Sequence, residues 1–203
     1  MQQAGGSAGQ GGMGASGPLT AEQQKVLRRE FAISKADIDF MSGMIGHHAQ
    51  AVVMAGWAPS HGANGAVSGL CERIVVAQND EIDLMQRWLV EKGQKAPEAD
   101  PKGMKMEMGG MTHTMLMPGM LSEDEMRALD KARGVEFDRL FLVGMIKHHQ
   151  GALTMVQTLV GSYGAAQDDV VFKFSSDVSA DQSTEIERMQ GMLDALPPAK
   201  PNR

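Results

Sequence analysis

The stretch FMSGMIGHHAQAVVMA at residues 40–55 returns as FLVGMIKHHQGALTMV at residues 141–156, so each half of the chain carries a Met-Ile-x-His-His block. At about 100° per residue, Met41, Met44, His47, His48, Ala51 and Met54 fall within one half of a helix surface. Ser42, Gly43, Gly46, Ala49 and Gln50 take the other half. The second copy groups Leu142, Met145, His148, His149, Ala152 and Met155, and turns Gly144, Lys147, Gln150 and Gly151 mostly outward. Leu142 stands where the first copy has Met41, so the second copy has one thioether fewer.

The duplication extends in both directions. Upstream, LTAEQQKVL at residues 19–27 matches LSEDEMRAL at 121–129, and each opens with a hydroxyl cap and a Gln or Glu three residues on, Thr20 with Gln23 and Ser122 with Glu125. A short helix is therefore expected at the start of each copy. Long ligand-bearing helices follow, over about 37–58 and 136–160, ending at Pro59 and at Gly161. Downstream, Gln78, Glu81, Ile82, Met85, Gln86 and Leu89 correspond to Gln182, Glu185, Ile186, Met189, Gln190 and Leu193, on helices that stop near Gly93 and at Pro197 and Pro198.

Four long helices, each with one apolar stripe and no sheet to cover it, should close into an all-α antiparallel four-helix bundle of two duplicated hairpins. The β-favourable runs at 75–77 and 170–174 lie inside helical periodicity, and no segment is expected to be a strand. The predicted organisation is a Gly/Ser-rich tether at 1–18, one bundle domain at 19–196 and a tail at 197–203. Within the domain, repeat 1 covers 19–93 and repeat 2 covers 121–196, joined by a Met-rich linker at 94–120. That linker holds Met104, Met106, Met108, Met111, Met115, Met117 and Met120 plus His113, and its glycines with Pro101 and Pro118 forbid a long helix. It reads as a mobile loop whose thioethers are open to metal.

The bulk numbers narrow the function. A chain of 203 residues with net charge -6 and 4% aromatic residues lacks both the basic surface and the stacking platforms that nucleic acid requires. No stretch approaches the run of about 18 apolar residues needed to span a bilayer. Eighteen methionines against the single Cys71 exclude an internal disulfide and a CxxC site, and favour an extracytoplasmic compartment, where thioethers persist and thiols oxidise. Residues 2–17 contain no apolar signal core, and read as a tether left after a targeting segment was removed. A cytosolic protein with a flexible tail is the alternative.

Thioether sulfur is a soft, uncharged donor suited to Cu(I), and imidazole suits Cu(I), Cu(II) and zinc. A mixed Met/His face therefore points to metal, and to copper before magnesium, calcium or manganese. Methionines alone fit a bundle core equally well. Paired histidines on an apolar face, occurring twice, are harder to explain by packing, because a buried imidazole without a partner is costly. His47 and His48 diverge by about 100°, which argues against both binding one ion as a simple pair. His48 with Met44 and Met41, or His47 with Met44 or Met54, are alternative sets. His149 with Met145, and His148 with Met145 or Met155, are their equivalents. Met85 and Met189 face inward and could complete either. Glu81 and Glu185, one turn before them, fit either a carboxylate holding the other imidazole nitrogen or a solvated edge residue. His61 reads as exposed loop, and Trp57 and Trp88 as packing within the hairpin. Because thioethers do not titrate, the linker is expected to keep Cu(I) at acid pH.

The doubled MIxHH block, each followed by Gln-x-x-Glu-Ile-x-x-Met, resembles the family catalogued as domain of unknown function 305 over about residues 19–196. That resemblance implies a ferritin-like bundle and, since some members are periplasmic copper-binding proteins, copper binding and resistance. Residue by residue the implication falls on Met44, His47, His48, Met54 and Met85, and on Met145, His148, His149, Met155 and Met189.

The leading expectation is a copper-binding protein of the cell envelope, exchanging metal with a delivering or accepting protein and catalysing no reaction. A ferritin-like metal oxidase is the competing class. It needs Glu-x-x-His on two helices, whereas Glu81 is followed three residues on by Leu84 and Glu185 by Arg188. A metal-free helical interaction module, docking peptides on the methionine linker, is the third.

Overall fold

A computed structural model describes residues 20–22, 33–108 and 110–198. The chain divides into two compact units, residues 1–32 and 33–203. In the first, Ala21 and Glu22 are helical, and the rest of the expected opening helix, with Gln23 of its cap, lies outside the described residues, as does the tether.

The second unit is built on four long helices. Ser34 caps α1 (Lys35–Gly56) through a capping box with Asp37. A single helical turn, α2 (Ala58–His61), carries Pro59 in its first positions and leads to Asn64, whose side chain caps α3 (Gly65–Glu91). The second half repeats the plan. Ser122 and Glu125 form the expected capping box of α4 (Glu123–Lys131), α5 (Val135–Val160) follows, and Asp168 caps α6 (Asp169–Asp194). Both β-favourable runs lie inside helices, α3 and α6. The hairpins α1/α3 and α5/α6 face each other through α1 and α5.

Buried carboxylates join the hairpins crosswise. Asp37, at the start of α1 and 1% exposed, accepts a hydrogen bond from the Ala166 amide in the loop before α6, at 2.7 Å. Asp138, at the start of α5 and equally buried, accepts from the Asn64 side chain before α3, at 2.7 Å.

The linker departs from expectation in two ways. It contains an antiparallel hairpin, β1 (Met104–Met108) paired with β2 (Met111–Met115), with Met104 opposite Met115 and Met106 opposite His113. Its flanks are also packed and not free: Met117 and Met120 are buried, and Met104 packs partly buried beside them. Consequently the middle of α1 has no polar outer face. Gly43, Gly46, Ala49 and Gln50, expected outward, are all buried. The Gln50 amide donates to Pro101 O and Leu121 O and accepts from the Leu121 N–H at 2.7 Å, which fastens the linker across the helix. On α5, Lys147 and Gln150 do face solvent, but Gly144 and Gly151 are covered.

Candidate metal centre

Adjacent histidines on one helix necessarily diverge, and the bundle gives each a different neighbour. All four imidazoles, His47, His48, His148 and His149, are 0% exposed. His48 Nε2–H donates to Glu81 Oε2 on α3 at 2.6 Å, and His149 Nε2–H donates to Glu185 Oε2 on α6 at 2.7 Å. The glutamates thus hold imidazoles, one of the two roles open to them from sequence, and fix ring orientation. A neutral ring donating from Nε2 keeps a bare lone pair on Nδ1. Both Nδ1 atoms are buried without a hydrogen-bond partner.

His47 and His148 meet at the centre between α1 and α5, with ring centroids 3.7 Å apart. His47 Nε2–H donates to the Pro118 carbonyl at 3.0 Å, again leaving Nδ1 as a buried unpartnered lone pair. Burial, followed by the neighbouring His48, lowers its pKa to about 3, with the Pro118 carbonyl opposing. Neither ring nitrogen of His148 has a partner, and burial, then His47, pushes its pKa well below the ordinary value. This pair is neutral across the physiological range. No sequence signal marked Pro118 as a histidine partner.

The thioethers sort crosswise between the halves. Met41 and Met44 of α1 share one buried cluster with Met85 of α3 and Met155 of α5. Met145 of α5 shares the other with Met189 of α6 and Met54 of α1. Met54 and Met155, the last methionines of the two blocks, thus lie in different buried clusters, each mixed from both halves. Met41, Met44, Met54, Met85, Met145 and Met189 are fully buried, and Met155 is 9% exposed.

Of the linker donors, Met104, Met117 and Met120 join the first-half cluster, whereas Met115 is 47% exposed. The side chains of Met106, Met108, Met111 and His113 lie outside the described residues. His61 is corrected from exposed loop to core: 4% exposed, it lies between Trp57 and Phe137, and its Nε2–H donates to Asp130 O at 2.9 Å. Trp88 packs as expected and donates to Asp168 Oδ1. Burial, with Asp138 nearby, pushes the Cys71 thiol up to about 12, so it is no thiolate ligand at neutral pH.

Among the described residues, no three His, Cys, Asp or Glu side chains are grouped to hold a metal. The donors buried here are imidazole nitrogen and thioether sulfur, a set that suits a soft cation. Each half supplies one clamped imidazole with an open Nδ1, plus buried methionines from both hairpins. Among the described residues no helix is long and apolar enough to cross a membrane.

No curated protein matches the chain. Among solved structures, it is similar to a DUF305 protein from Streptomyces coelicolor described as a candidate secreted protein, with TM-score 0.65 and 26% identity over 81% of this chain and 98% of that one. A DUF305 fragment from Deinococcus radiodurans gives TM-score 0.66 and 25% identity over 81% and 99%. CopM, solved in a Cu(I)-bound form, gives TM-score 0.59 and 25% identity over 78% and 95%, and it has also been solved in Cu(II)-bound and Ag-bound forms. The family model described as domain of unknown function (DUF305) matches residues 37–193, and it spans both histidine blocks and all four long helices; the chain belongs to that family.

Proposed function

We propose that this protein binds copper, as Cu(I), through one Met/His site in each half, and buffers the ion or passes it on in the cell envelope without transforming it. One observation carries this reading. His48 and His149 each present a buried, unpartnered Nδ1 while a glutamate holds the opposite nitrogen, the arrangement that orients metal-binding imidazoles. Buried methionines around them supply the soft donors. Similarity to CopM, solved with copper and with silver, supports the same choice of metal. An envelope location is supported by the likeness to a candidate secreted protein and by the scarcity of cysteine. Copper would reach and leave these sites by exchange with another metal-carrying protein of that compartment.

Anaerobic Cu(I) titration with metal analysis tests the reading. The parent should bind more than one ion per chain, and the double variant His48→Ala/His149→Ala should bind fewer. Unchanged stoichiometry in a folded double variant would remove the helix sites.

A further inference from the structure

Three methionines from three separate segments end at one point above Gly43. A Cβ placed on that glycine would lie 3.0 Å from Met117 Sδ, 3.4 Å from Met155 Cε and 3.8 Å from Met104 Cε. Met104 comes from the start of β1, Met117 from the end of the linker and Met155 from α5. The bare glycine of α1 makes room for them.

The equivalent point in the other half is filled differently. Above Gly144 stand the Leu121 methyls, the nearer at 3.1 Å, and Met54 Cε at 3.2 Å. Hydrocarbon therefore suffices to cover this glycine, and packing does not require three thioethers. The position also differs from the histidine sites in depth. Met104 is only partly buried and borders a surface groove of about 440 Å³ with Ser42, Gly46 and Asp100. Met155 borders another of about 280 Å³ with Asp39 and Phe40. The cluster thus lies one side chain below solvent on two sides. Methionine has three soft torsions, so rotation about the terminal bonds can turn sulfur lone pairs, in place of methyls, toward one another in the space beside Gly43 without moving backbone.

Resting on the copper-binding reading above, we infer that Met104, Met117 and Met155 form a separate all-thioether site for one soft monovalent cation, Cu(I) or Ag(I). Its three donors are thioether sulfurs, a set that suits a soft cation and not a hard divalent one. It exists once per chain, because Leu121 occupies the corresponding place in the second half.

The test uses the full chain labelled with methyl-13C methionine and titrated anaerobically with Ag(I). The methyl resonances of Met104, Met117 and Met155 should shift together in one step. The near-isosteric variant Met117→Leu/Met155→Leu should bind one ion fewer than the parent while the ions lost in His48→Ala/His149→Ala remain. Gly43→Ala keeps every sulfur but places a methyl against Met117 Sδ, and it should lose the same ion. If the folded leucine variant binds as many ions as the parent, or the three methyls respond at different equivalents, the thioether site is refuted while copper binding stands. If the parent binds neither Ag(I) nor Cu(I), the functional reading itself fails.

Discussion

The two halves share their histidine blocks and their glutamate clamps, yet the linker treats them unequally. Over α1 it is gripped by a side chain, the Gln50 amide, which bonds to Pro101 and Leu121. The corresponding residue of α5 is Gly151, which has no side chain, and Pro118 and Gly119 lie directly on its backbone. The first half gains Met104, Met117 and Met120 from this wrapping, beside its own Met41. The second receives Leu121, and has Leu142 where Met41 would be. The doubled blocks thus supply two matching clamped imidazoles, while the unpaired linker adds its buried methionines to one of the two hydrophobic clusters.

The contrast can be broken most severely at the linker crossing. A Cβ on Gly151 would sit 1.9 Å from Pro118 O, a backbone atom, so Gly151→Ala forces the turn off α5 and takes the His47 acceptor with it. Urea unfolding should show a loss of about 3 kcal/mol, the upper end for overpacking. An unchanged midpoint would mean that the linker does not rest on α5. A smaller effect should come from the clamps taken one at a time. Glu81→Gln should weaken Cu(I) binding in the first half about tenfold and leave the second untouched, with Glu185→Gln doing the reverse. Competition titrations against a Cu(I) chelator measure this, and equal effects of either variant on all ions would show that the halves do not act separately. The mildest test restores symmetry. Leu142→Met exchanges residues of similar volume, should alter stability by less than about 1.5 kcal/mol, and should raise Cu(I) affinity in the second half alone. No gain there would place Met41 among the packing residues.

Much of this was legible because helices announce themselves locally. The doubled histidine blocks, Pro59, Gly161 and the prolines after the last helix ended the long helices to within a few residues of their observed ends, and Ser122 with Glu125 marked the start of the short α4. The glutamate clamps were legible in outline, since Glu81 and Glu185 stand one turn before an inward methionine. What stayed hidden depends on how α1 crosses α5. The separation of Met54 and Met155 into different clusters, the facing of His47 on His148 and the burial of His61 between Trp57 and Phe137 arise from tertiary contacts that no periodicity records. The hairpin was signalled by the paired glycines at 109 and 110, a recognised turn dipeptide. Methionine, lysine and glutamate around them carry little strand preference, which masked it.

The crosswise carboxylates Asp37 and Asp138 make each hairpin depend on the other. Each buried acid closes the opposite hairpin's loop, so a lone hairpin would lose one partner of the acid at its own entrance and leave the turn at its far end open. Two identical hairpins related by a two-fold axis would satisfy one another fully.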